Sequence, residues 1–104
     1  MATTTKTLFR GAASTSSTTL YTVPTTSTTT VVTDIVVANT ASSSGTFELL
    51  IDDVVLAKTV TVGANDSTII QLKQVIPANA TPKTIKGLAS ATTINFHISG
   101  VEIV

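Results

Sequence analysis

The chain has 104 residues, no cysteine, six basic and six acidic residues, and a formal net charge of zero. Charged side chains make up 12% of it, against about a quarter in an ordinary soluble domain, and about a third of the residues are Ser or Thr. These figures exclude a disulfide framework, a thiolate metal site and redox chemistry; they leave no electrostatic source of attraction for nucleic acid or anionic lipid, and they describe one domain able to stand without a metal or disulfide.

Residues 1–17 are mostly Thr, Ser and Ala around one apolar pair, Leu8-Phe9, followed by Arg10. They read either as an N-terminal arm or as an edge strand, with residues 18–104 forming a single β-sandwich domain. No basic-then-apolar order marks a secretory signal, so synthesis in the cytoplasm of the producing cell is expected. No run approaches the roughly 20 apolar residues of a helical membrane span. The mean hydropathy of +0.44 reflects missing charge.

From Thr18 onward, Val, Ile and Thr alternate with period two between turn residues, the pattern of half-buried antiparallel strands. Residues 19–23 form the first strand, stopped by Pro24, which donates no ladder hydrogen bond. The next strand, 28–39, is apolar on both faces, with Val31, Thr33, Ile35 and Val37 expected on one and Val32, Asp34, Val36 and Ala38 on the other. Such a strand fits the middle of a sandwich or a contact between subunits. Strands 46–51 and 54–62 are joined by Asp52-Asp53, a pair suited to a tight hairpin. Strand 67–73 follows, then a loop over 77–82, a short strand over 83–89 and a last one over 92–104. In that last strand Ile94, Phe96 and Ile98 share a face, and Gly100 marks an expected bulge. The count of seven to eight strands predicts an all-β, antiparallel β-sandwich or jelly roll, with Phe47 and Phe96 as its largest core residues.

Acid–base chemistry has little to work with. His97 is the only imidazole, and with no second histidine and no cysteine it completes neither a nucleophilic triad nor a zinc site. The carboxylates lack the spacing of a calcium loop; Asp52-Asp53 reads as turn chemistry, and Asp34 as a charge that discourages strand aggregation. Asn65-Asp66-Ser67 and Asn79-Ala80-Thr81 match the glycosylation acceptor pattern, which chance supplies in so Ser/Thr-rich a chain. No ranked repeat of threonines of the kind that orders ice is present. The composition thus favours a packing element over an enzyme, with no catalytic, cofactor-binding or metal-binding residues and no cofactor.

Five segments carry a resemblance: Thr4 to Gly11, Leu20-Tyr21-Thr22-Val23-Pro24, Val31 to Asn39, Ala64-Asn65-Asp66-Ser67 leading into Leu72-Lys73-Gln74-Val75, and Ile98 to Ile103. Together they resemble small all-β structural proteins of tailed bacteriophage virions, over nearly the full length. The resemblance implies a virion location and a head-decoration protein that binds the expanded shell, bridges neighbouring capsid subunits and opposes the pressure of packaged DNA. A tail, fibre or baseplate module with an attachment role is the alternative; with one tyrosine and no tryptophan, the aromatic platform for sugar stacking is poor. The implied partners are the major capsid protein or other virion proteins and further copies of the chain, a trimer being favoured, with no nucleic acid and no membrane. Shell contact is expected around Leu8, Phe9 and Arg10, and subunit contact on the face carrying Val31, Thr33, Ile35 and Val37.

Overall fold

The computed structural model describes residues 2–104. Eight strands follow one another: β1 (Thr3–Ala12), β2 (Thr18–Thr22), β3 (Thr29–Asn39), β4 (Gly45–Ile51), β5 (Val54–Val62), β6 (Ser67–Pro77), β7 (Thr84–Ala89) and β8 (Ile94–Ile103). They form two four-stranded antiparallel sheets, β1-β8-β3-β6 and β2-β7-β4-β5. Of the seven connections only the β4–β5 turn stays within one sheet. The other links cross between sheets, so the chain wraps as two interleaved Greek keys: the eight-stranded jelly roll.

The all-β sandwich expected from the alternation is the fold observed, and the alternation shows why. Val32, Ile35, Val37, Phe96 and Ile98 from the first sheet face Phe47, Leu49, Val62 and Ile85 from the second, all at 0–1% exposure. Phe47 and Phe96 meet edge to face at 6.0 Å between ring centroids and 75° between planes, the arrangement that aromatic quadrupoles favour. At the β4–β5 hairpin, Asp52 and Asp53 take left-handed backbone, φ 54° and 58°. That is the geometry of a two-residue hairpin turn, which carboxamide and carboxylate side chains tolerate better than bulky ones.

Three expectations from the sequence need correction, and one cause underlies them. At one level of the first sheet the ladders slip: Thr7 pairs with Ser99 but Phe9 with Ile98, so Leu8 is an extra residue in β1. Likewise Val32 pairs with Gly100 but Asp34 with Ser99, so Thr33 is extra in β3. The bulges therefore lie in the two strands flanking Gly100, and β8 itself runs through in unbroken phase, Phe96, Ile98 and Gly100 all facing inward. A glycine sits there because a Cβ would come within 2.4 Å of the Val31 carbonyl oxygen.

The second correction concerns β3. Its bulge puts Val31 on the outer face, leaves Thr33 unpaired at the kink, and turns Ile35 and Val37 into the core at 0% exposure. These residues do not share one surface, and Ile35 and Val37 are closed to any subunit. The third concerns the N-terminus. A bulge lets two consecutive side chains face the same way, so Leu8 is buried at 6% exposure and Phe9 packs against the core beside it, while Arg10 alone of the three is exposed. Residues 3–12 are hydrogen-bonded along β8 as an edge strand, one of the two alternatives expected for them, and Leu8 and Ala13 belong to the same core as residues 18–104.

β6 also runs four residues beyond the expected end at Lys73. Ile76 pairs with the buried Thr30 and is itself 2% exposed, and Pro77, at the margin of an edge strand, opposes Thr29 where its missing N–H leaves no gap in the ladder.

Candidate functional site

Each end of the sandwich carries a polar cluster, one buried and one partly exposed. At one end Asn39, 3% exposed, has its amide fully used: Nδ2 donates to the carbonyls of Ser43 (2.9 Å), Val62 (3.3 Å) and Gly63 (3.3 Å), and Oδ1 accepts from the Ala41 amide (3.0 Å) and the Thr93 hydroxyl (3.4 Å). It ties three loops together, which is what a buried amide must do to offset its desolvation. At the other end Glu102 of β8 faces inward. The Tyr21 hydroxyl donates to its Oε2, the fully buried Thr30 hydroxyl lies at 3.4 Å from the same oxygen, and the Lys6 ammonium stands 3.3 Å from Oε1 and 5.3 Å from the centre of the Tyr21 ring.

This second cluster joins β1, β2, β3 and β8, and its electrostatics are those of a clamp. The Tyr21 hydrogen bond above all, then Lys6 and Thr30, hold the Glu102 carboxyl below its usual 4.5 against the opposing effect of burial. Burial first, then the Glu102 hydrogen bond, pushes the Tyr21 phenol above its usual 10.0, and the Glu102 hydrogen bond chiefly raises Lys6 above 10.5. Because the Glu102 pKa is depressed by folding, its contribution to stability is present above its ordinary pKa and is lost as the pH falls through the folded value. We expect the melting temperature of the protein to fall between pH 6 and pH 3 by more than that of Glu102→Gln. Parallel profiles for the two in a thermal melt series would show that the clamp does not act. The sequence does not join these residues into a site, since Lys6 and Glu102 are far apart along it and no spacing rule links them.

The outer surfaces of the two sheets differ in kind. On the second sheet and its hairpin, cations and anions neutralise one another: Lys58 with Glu48 (3.0 Å), Lys83 with Asp52 (3.2 Å) and Lys86 with Asp53 (2.8 Å). On the first sheet the register stacks the outward side chains in rows: Thr5-Val101-Val31-Val75, then Thr7-Ser99-Asp34-Gln71, then Arg10-His97-Val36-Ile69. Val75 and Ile69 are 63% and 64% exposed; Val31, Val36, Val101 and Ile103 are half-buried. Arg10, Asp34 and Lys73 are exposed and have no ion-pair partner among the described residues. His97 lies half-buried on this face beside Arg10 and diagonally across β8–β3 from Asp34. A shallow groove lined by Thr5, Thr7, Thr33, Ser99 and Val101 crosses the rows where the bulges sit.

The sandwich edges are blunted. All four edge strands are irregular: β1 at Leu8, β2 between Thr19 and Tyr21, β5 twice opposite Phe47 to Leu50, and β6 at Leu72-Lys73. Bulges and edge lysines such as Lys6, Lys58 and Lys73 oppose strand-to-strand addition. What remains open for contact is a face, and the first sheet supplies the less charged one.

Of the residues expected at contacts, then, Arg10 and Val31 reach this face and Thr33 lies on its groove, whereas Leu8, Ile35 and Val37 fill the core. The strand order and the two Greek keys place the protein among jelly rolls, an architecture shared by viral capsid and lectin domains. No protein-family model matches the chain, and no curated protein matches it. Among solved structures, a chain in the structure of infectious bursal disease virus, Gx strain, is similar in fold: the match covers 97% of this chain and 32% of the other, with a TM-score of 0.54 at 16% sequence identity. The protein thus has the size of about a third of that chain.

Proposed function

We propose that the protein is a non-enzymatic structural component of a tailed-bacteriophage virion, made in the host cytoplasm and bound to the outside of the head as a decoration protein. The observation that carries this reading is the jelly roll itself, matched over 97% of the chain by part of a chain from a virus structure. The bacteriophage-like segments noted above support the tailed-phage assignment, and a chain with one histidine and no cysteine fits a mechanical role. A face with few ions loses little on desolvation when it lies against another protein, and many identical weak contacts over a shell add by multivalency. The major capsid protein is the expected partner.

Expanded heads prepared without this chain are the direct test. Added protein is expected to bind them saturably, at a fixed ratio to the capsid subunits, and to raise the temperature at which the heads release DNA. No binding, or binding with no rise, overturns the proposal, and quantitative mass spectrometry showing only a few copies per particle transfers the chain to the tail or fibre.

A further inference from the structure

The outer face of the first sheet carries opposite charges in a self-complementary arrangement. Arg10 lies on β1 in the row of His97, and Asp34 lies on β3 in the row of Ser99. They are therefore separated by two strand spacings, about 10 Å, across the sheet and one two-residue repeat, about 7 Å, along it. They form no ion pair within one molecule, and both side chains stay exposed. The midpoint between them falls on β8, between His97 and Ser99, near the centre of the sheet. A two-fold axis lying in the face, through that midpoint and perpendicular to the line joining the two residues, brings each Arg10 over the other copy's Asp34, and so makes two ion pairs at once.

We infer that this face is a contact between two copies of the chain, packed sheet against sheet about that axis. The axis runs obliquely to the strands, so the strands of the two copies cross, as they do in orthogonally packed sheets. Val36 lies close to that axis and packs against its counterpart, with His97 and Ser99 beside it between the paired charges, while Val31, Val101, Ile69 and Lys73 lie further out. The blunted edges exclude the competing mode, strand addition, and the second sheet offers no comparable unpaired charges. A four-stranded face with strands about ten residues long covers about 600 Å², below the roughly 800 Å² per partner of a standard stable interface. The dimer is accordingly weak in free solution and is reinforced where copies are held close together. This arrangement is two-fold, in contrast to the trimer that the phage resemblance implies, and it does not depend on the head-decoration reading: the test uses the purified chain alone, with no shell present.

Sedimentation equilibrium across a wide concentration range is expected to show a monomer–dimer equilibrium. Arg10→Asp and Asp34→Arg, each alone, place like charges opposite one another and weaken association about tenfold or more. Mixing the two variants restores it, because both cross-contacts in the mixed pair join Asp to Arg. Val36→Lys is expected to weaken it to a similar extent. Since the chain has no cysteine, a second measurement is free of background: Ser99→Cys should be linked into dimers by a short bis-maleimide, and Thr61→Cys on the second sheet should not. A strictly monomeric protein, a trimer, a dimer indifferent to both charge reversals, failure of the mixture to recover, or equal linking at both cysteines would each overturn the inference.

Discussion

Replacing Phe96 by alanine is expected to lower the unfolding free energy by about 3–5 kcal/mol, the range found for large aromatic deletions in packed cores. Phe96 has no exposed surface, and its ring is held edge to face by Phe47, a contact worth about 0.5–1.5 kcal/mol beyond burial. The site has little room to collapse. Gly87 lies against the ring so closely that even a Cβ there would stand 3.2 Å from Phe96 Cε2, and the flanking Ile94 and Ile98 are themselves fully buried. Against a total stability of about 5–15 kcal/mol for a domain of this size, the variant should be strikingly labile or unfolded at ambient temperature. Urea unfolding followed by far-ultraviolet circular dichroism would measure it; a midpoint shift equivalent to less than about 1 kcal/mol would mean that the two sheets close over the vacancy.

Gly100→Ala should come next in severity, at the upper end of the roughly 1–3 kcal/mol typical of overpacking. The new methyl would meet the Val31 carbonyl oxygen at 2.4 Å and Leu8 Cδ1 at 2.9 Å. The leucine can turn aside, but the carbonyl is part of the β3–β8 ladder, where Val31 pairs with Val101. Relief therefore requires that the ladder move, and with it the bulge at Thr33 that sets which residues of β3 face the core. Gly11→Ala is the matched control: its nearest neighbour is an aromatic carbon of Phe9 at 3.4 Å, so it should unfold close to the parent. Equal midpoints for the two alanine variants would refute the role assigned to Gly100.

These two positions divide along the line between what one-dimensional pattern contains and what it lacks. Phe96 was legible: period-two alternation through Ile94, Phe96 and Ile98 marks a buried face without knowledge of the partner strand. Gly100 was legible only as an irregularity. Whether a glycine is itself the bulge or the smooth residue opposite bulges depends on the register of two other strands, β1 and β3, both distant in sequence. The same dependence explains Leu8 and Phe9. Adjacent apolar residues in a strand ought to point to opposite sides, which leaves one of them free to contact a partner, yet the extra residue in β1 turns both inward.

The amino-acid sequence by itself determined the strands, the all-β class, the Asp52-Asp53 turn and the aromatic centre of the core, because each of these follows from local backbone preference or from burial that repeats every second residue. The tertiary structure decided which surfaces are left over. Bulges moved Ile35, Val37 and Leu8 into the interior, folding brought Lys6 to Glu102, and the register set Arg10 and Asp34 apart on one open face. A shift of one residue in pairing reverses every side chain beyond it, and pairing is settled between strands that the chain itself holds far apart.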